Sequence, residues 1–312
     1  MGTQPIQAQD DEGDASMNSR RQFLGVIGGG LAGALAPVKE SLAAQEKKHS
    51  FQGPFGIELY SLRHQIKAGD AQSIKTAMAY AKQVGYTEME DTVPEGLNAA
   101  QFRSLIDEVG LPCTSMMALY GQYKTELGAV AENAHTLGAT NVVNPWIPHH
   151  GPFTIELCRE TAKLYNSWGR KLRAEGLRFG HHTHGYEFRP YQGQPLFDTL
   201  VKETDPESVD FEMDIFWVVD PGESPVAYLK EYPNRWRLMH LKDMKKGPPT
   251  HNYTGGEPVS WDVPLGSGRM NLPAILREAA RVGVERYYVE DESDQAHEQI
   301  VKDLRYLKTV RL

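Results

Sequence analysis

Three histidines and a glutamate fall within seven residues, in the stretch His181-His182-Thr183-His184-Gly185-Tyr186-Glu187. A short apolar run, Leu177-Arg178-Phe179, leads into them, so the cluster sits where a strand ends. Several nitrogen and oxygen donors in so small a volume are costly to bury unless they bind something. The plainer reading is a polar loop whose histidines face water, since loops run over the surface. The rest of the chain weighs against it, because matching donors recur at the spacing of a repeated unit.

Those donors need elements to position them. From Phe55 onward the pattern alternates strand and helix. Strands are expected at 55–60, 87–91, 112–117, 140–144, 177–182, 209–214, 236–240 and 286–290. Helices are expected at 71–84, 99–109, 123–137, 155–175, 196–203, 225–231, 272–282 and 295–307. Strand centres recur about every 25–40 residues, with one gap of about 50, which is the size of a βα unit. The alternation implies a parallel sheet. Eight units in roughly 260 residues favour an α/β fold of one closed (β/α)8 TIM barrel over an open doubly wound sheet. No sequence repeat is visible, so the chain is not a solenoid. The extra length lies at 245–270, rich in Gly, Pro and Ser, and reads as a long loop after strand seven, over the barrel mouth.

The 312 residues are 40% hydrophobic and 24% charged, an ordinary globular composition. A net charge of −8 repels phosphate backbones and excludes nucleic acid as an expected partner. The two cysteines, Cys113 and Cys158, have no C-x-x-C spacing and fall in apolar strand-like and helix-like runs. Two buried free thiols are expected. At the N-terminus, Arg20-Arg21 precedes a glycine-rich apolar run, Val26 to Ala36, in the pattern of a twin-arginine export signal. Residues 1–50 are therefore expected to be a disordered N-terminus with a signal peptide, and 51–312 the catalytic barrel. The expected location is periplasmic or otherwise outside the cytoplasm. Gly28-Gly29-Gly30 is no phosphate loop, since no strand precedes it and no Lys-Ser/Thr follows.

In such a barrel the reactive face is the C-terminal end of the strands. The final residues of the expected strands are Glu58 and Tyr60; Glu90; Met117; Asn144; His182 with His184; Asp214; His240 with Lys242; and Glu290 with Asp291. Buried parallel strands should be almost wholly apolar, so this run of acids and histidines stands out. Each has a plain alternative: Glu58 or Glu90 paired with Arg63, Asp214 capping the following turn, His240 bonded to a backbone carbonyl. His182, Asp214, His240 and Glu290 come from four adjacent strands. Two imidazoles and two carboxylates suit one divalent manganese, zinc, cobalt or iron ion better than calcium or magnesium.

With these motifs in place the chain resembles the sugar phosphate isomerase/epimerase family with its xylose-isomerase-like barrel. The marks are Gly56-Ile57-Glu58-Leu59-Tyr60-Ser61-Leu62-Arg63, Gly85-Tyr86 to Glu90, and His182-Thr183-His184 with Glu187-Phe188. Asp214-Ile215-Phe216-Trp217, His240-Leu241-Lys242-Asp243-Met244, Leu265-Gly266-Ser267-Gly268 and Tyr288-Val289-Glu290-Asp291 complete them. The resemblance implies one metal ligand from each of strands five to eight: His182, Asp214, His240 and Glu290. Strand five often offers glutamate in the family. His182 stands there instead, as in the branch that looks like inosose dehydratases and keto-sugar enzymes, and Glu187 is near enough to replace or assist it. Met117 stands where strand three often ends in histidine.

The implied chemistry is proton abstraction next to a carbonyl, with a polarising metal and acid/base groups around it. Glu290, His184, Glu187 and Lys242 are the expected catalytic residues. Glu58, Glu90, Trp146 and Trp217 are expected to contact substrate. The expected activity is an isomerase or epimerase acting on an unphosphorylated sugar, keto-sugar or cyclitol. A keto-sugar or inosose lyase on the same site, and a sugar-binding barrel without catalysis, are the rivals; a barrel endonuclease is disfavoured by the charge. The expected partners are a small carbohydrate and the twin-arginine translocase, and a homo-oligomer is allowed. Gly266-Ser267-Gly268 is the one phosphate-loop candidate, and it also fits a plain turn.

Overall fold

The computed structural model describes residues 50–312. The expected leader, with Arg20 and Arg21, lies outside the described residues. Eight strands form the barrel: β1 (Gly56–Glu58), β2 (Glu88–Asp91), β3 (Cys113–Met117), β4 (Asn141–Asn144), β5 (Arg178–His182), β6 (Val209–Asp214), β7 (Trp236–Leu241) and β8 (Arg286–Val289). All pair in parallel, each with its sequence neighbours, and β8 closes on β1. Closure brings Gly56 opposite Tyr288, where a Cβ on Gly56 would run into the Tyr288 ring and, at 2.8 Å, the Tyr287 carbonyl. Glycine is the residue that permits this approach.

Ten helices surround the strands among the described residues: α1 (Ala71–Val84), α2 (Ala99–Val109), α3 (Tyr120–Thr125), α4 (Leu127–Leu137), α5 (Ile155–Ala174), α6 (Leu196–Glu203), α7 (Ile215–Val219), α8 (Pro225–Glu231), α9 (Leu272–Val282) and α10 (Ala296–Leu307). Local chemistry fixes their ends. The Asp70 carboxylate accepts from the Gln72 and Ser73 amides at the start of α1, and Gly85 ends that helix in a left-handed conformation. Asn98 and Gln101 form a reciprocal capping box on α2. The main core lies between strands and helices, and a smaller cluster of Met117, Val143, Leu238 and Tyr288 plugs the barrel interior.

Four expectations shift. The first strand ends at Glu58, and Leu59–Gln65 turns into a 3-10 helix, which leaves Tyr60 48% exposed. The helix expected over 123–137 is two, α3 and α4, because Glu126 leaves helical geometry at φ −137°, just before the weak helix former Gly128. Residues 245–270 are tied down at both ends: Asp243–Met244 pairs antiparallel with Asp262–Val263. Gly266-Ser267-Gly268 is a turn closed on Asp243, whose Oδ2 accepts from the amides of Gly266 and Gly268 at 2.9 and 3.0 Å. Those amides are engaged, so the turn is not a phosphate cradle. Cys113 and Cys158 are buried free thiols, as expected.

Candidate metal centre

Strand periodicity of two sets which side chains enter the barrel. On β6 these are Asp210, Glu212 and Asp214; on β7, Leu238 and His240 stand beside Glu212 and Asp214 in register. The deepest member, Asp210, is held at the lower rim by Arg178 and Arg237 at 2.9 and 3.0 Å. Glu212 and Asp214 have no such cation.

At the upper end, His182, Asp214, His240 and Glu290 each offer one ligand atom within 4.8 Å of the others, and all four are buried. His182 turns Nε2 toward Asp214 Oδ2 at 3.8 Å, and His240 turns Nδ1 toward Glu290 Oε2 at 3.0 Å. Asp214 also caps α7, its Oδ1 accepting from the Phe216 and Trp217 amides at 2.7 and 3.3 Å. The expected cap and the expected ligand position are thus one residue. Its other oxygen, Oδ2, is buried without a hydrogen-bond partner. An orphaned carboxylate oxygen beside two imidazoles and a second carboxylate fits a divalent ion with mixed nitrogen and oxygen ligands.

The opposite edges of both histidine rings face a second layer of acids. His182 donates through Nδ1 to Glu212 Oε2 at 3.1 Å. His240 donates through Nε2 to Glu90 Oε1 at 2.7 Å, with Glu212 Oε2 3.3 Å away. Glu90, expected to contact substrate, therefore lies under His240 and orients it. Glu212 was not among the expected site residues. The signal was available: stepping back two residues from Asp214 along the strand lands on it.

The cup above is a cavity of about 370 Å³ lined by Glu58, Tyr60, Thr92, Met117, Pro145, His182, His184, His240, Glu290 and Glu292. Burial, then the neighbouring Glu290 charge, raises the Glu58 pKa well above the usual carboxylate range. Burial pushes Glu290 the same way, but Lys242 and His240 outweigh it and hold its pKa well below that range. Burial lowers the His184 imidazole to about 4. Lys242 is buried and ion-paired with Glu292, with Glu290 and Asp262 at 3.6 and 3.7 Å. Those acids overcome its burial and keep it charged.

Three expected residues stand behind the cup. Glu187 is fully buried, accepting from His181 Nε2 at 2.8 Å and from the His184 amide at 3.1 Å. It therefore anchors the His181–His184 turn and is not one of the four convergent donors. Trp217 has its ring stacked on His184 at 4.5 Å with Lys242 5.4 Å from its centre, so it supports His184 and Lys242. Trp146 meets His184 edge-on at 4.9 Å and stacks on His149. Of the four residues expected to touch substrate, Glu58 alone lines the cup. Arg63, the plain alternative partner of Glu58 and Glu90, instead donates to the carbonyls of Tyr60 and Glu292.

Comparison with known proteins bears on the fold. Inosose dehydratase of Clostridium tetani is 26% identical over 125 residues, which is 40% of this chain and 41% of that protein. The chain thus matches less than half the length of that relative. A sugar phosphate isomerase/epimerase from Parabacteroides distasonis superposes with a TM-score of 0.68 at 22% identity, over 82% of this chain and 95% of that one. The IOLI protein, solved with a binding zinc atom, superposes with a TM-score of 0.63 at 13% identity, over 80% and 95% of the two chains. The model of the xylose isomerase-like TIM barrel matches residues 78–310, and the chain belongs to that family.

Proposed function

We propose that this protein is a metal-dependent enzyme that removes a proton from the carbon next to a carbonyl of an unphosphorylated sugar, keto-sugar or cyclitol. The observation that carries the reading is the convergence of His182, Asp214, His240 and Glu290 at the floor of the cup, with Asp214 Oδ2 unpartnered. A divalent manganese, zinc, cobalt or iron ion held there would supply Lewis acidity toward the carbonyl oxygen. The His184 imidazole, neutral at pH 7, accepts the proton. The Glu58 carboxyl, whose pKa is raised while that of Glu290 is lowered, carries the proton that is returned. Lys242 holds the acids Glu290 and Glu292 in place. The lining brings three glutamates and no lysine or arginine, which favours a neutral polyol over a phosphate ester.

A second reading uses the same first step. Proton delivery from Glu58 to a leaving group at the β carbon gives elimination instead of isomerisation. The partial match to inosose dehydratase and the histidine on β5 favour it.

Solvent exchange tests both. The metal-loaded enzyme is incubated in D₂O with ketoses, 3-keto-glycosides and inososes. Deuterium should enter the carbon beside the carbonyl of a true substrate, and Glu58→Gln should slow turnover by about 10²–10⁴-fold, the usual weight of a general acid. An inverted centre means epimerase, a moved carbonyl isomerase, and loss of water or an aglycone lyase. Turnover with the α-hydrogen untouched sinks the mechanism, and binding without exchange or turnover leaves only a sugar-binding barrel.

A further inference from the structure

Apart from the cup, one fully buried carboxylate among the described residues is left without a donor at either oxygen. Asp220 directly follows α7, and neither Oδ1 nor Oδ2 receives a hydrogen bond. Its carbonyl accepts from the His251 amide at 2.7 Å, which fixes the long loop's backbone alongside. From that loop the Glu257 carboxyl raises the pKa of the Asp220 carboxyl, and the Asn252 amide N–H lowers it. Asn252 Nδ2 donates to Glu257 Oε1 at 2.7 Å and to the Gly256 carbonyl at 3.0 Å, so the loop residues form one unit. Arg269, the cation that acts on Asp220 electrostatically, donates its Nη2 hydrogen to the Pro248 carbonyl at 2.8 Å and makes no ion pair with Asp220.

Two facing carboxylates with no cation cannot both stay ionised. Burial, then Glu257, pushes the Asp220 carboxyl up to about 8. Either a proton or a metal ion has to neutralise the pair. The donor types decide between metals. Both oxygens of Asp220 are open and Glu257 adds more, while the Asn252 side-chain oxygen is already engaged, accepting from the Thr254 amide at 3.1 Å. His251, the nearby imidazole, turns its Nδ1 to the Pro221 carbonyl at 3.1 Å. Oxygen ligands with water filling the remaining positions are the coordination of a hard divalent ion, in contrast to the mixed donors of the cup.

We propose that Asp220 and Glu257 form a calcium-class cation site that pins the long loop to α7, with Asn252 steadying Glu257 from the loop side. The helix so anchored starts at Asp214 and ends against Asp220, so one short element joins the floor of the cup to the loop. The pinned loop also presses on the cup wall. Gly255, at φ +71°, lies where a Cβ would meet the His184 carbonyl at 2.8 Å and Trp146 Cζ3 at 2.9 Å. Ion binding at Asp220 therefore holds the loop against the turn that carries His184.

The test uses full-length protein with the cup already loaded with manganese, so that added calcium meets only the second site. Titration calorimetry with calcium chloride should show one further ion per chain, with a Kd on the order of 0.1–1 mM, the range of weak oxygen-ligand sites. Calcium should also slow trypsin cleavage after Lys245 and Lys246. Asp220→Asn and Glu257→Gln should each weaken calcium binding at least tenfold and keep the manganese content. Glu257 is on the loop and only half-buried, so its variant remains informative if Asp220→Asn does not fold. Absence of calcium binding to the wild type, or binding that both variants retain, overturns the proposal. So does a loop that resists trypsin equally with and without calcium and opens only as pH rises past 8, which would mean a shared proton alone.

Discussion

Glu212 touches both histidines of the floor: Nδ1 of His182 at 3.1 Å and Nε2 of His240 at 3.3 Å. A carboxylate behind a ligating imidazole fixes its tautomer and its orientation, and losing such a partner typically costs 10–100-fold in metal affinity. Glu212→Gln keeps the shape and removes the charge. We expect metal affinity to fall by about that factor, read by competition with a chromophoric chelator, while the circular dichroism spectrum stays the same. Unchanged affinity would show that the histidines are oriented without it. The convergent donors themselves were legible in the sequence for a simple reason: strands of a parallel barrel should be apolar, so His182, Asp214, His240 and Glu290 stood out at strand ends. That Glu90 and Glu187 stand behind the floor was not legible. All are acids or histidines near a strand's end, and only the three-dimensional partner, His240 for Glu90 and His181 for Glu187, separates a floor residue from one that stands behind it.

At the scale of elements, α1 and α2 match the sequence reading residue for residue, because both their apolar period and their caps are local signals. The break between α3 and α4 and the early end of β1 were not legible, since both depend on how the chain packs as well as on propensity. Gly169 is a similar case. It lies in the middle of α5, where glycine costs helix stability, and no local signal accounts for it. In the fold, α5 crosses the start of β6 so closely that a Cβ on Gly169 would overlap the Ser208 carbonyl. Backbone on both sides leaves little room to yield. Gly169→Ala should therefore destabilise the protein by about 1–3 kcal/mol, the cost of overpacking, despite alanine's better helix propensity. Urea unfolding measures this, and a variant as stable as the wild type or more so would mean that α5 and β6 shift apart freely.

At the scale of the whole molecule, the barrel wraps a surplus of acid: Glu58, Glu90, Glu212, Asp214 and Glu290 are all buried around His182 and His240. Burial raises the pKa of Asp214 and Glu212, and neighbouring carboxylates add to the rise at both. Without an ion the folded state must hold these groups partly protonated or bear their repulsion. A cation on the floor would remove that cost only in the folded state, because the four donors come from four strands that the unfolded chain does not bring together. Binding therefore adds to stability by mass action, about 2.7 kcal/mol when free metal is 100-fold above its Kd. For a domain of this size that corresponds to a rise in Tm of about 5–10 °C. We expect chelator-treated protein to melt that much lower than protein resupplied with manganese or zinc, and Asp214→Ala to melt at one temperature under both conditions. The comparison is made in calcium-free buffer, so that the Asp220 site stays out of the measurement. Equal melting of treated and resupplied wild type would mean that the acids are neutralised by protons and that the floor is not a metal centre.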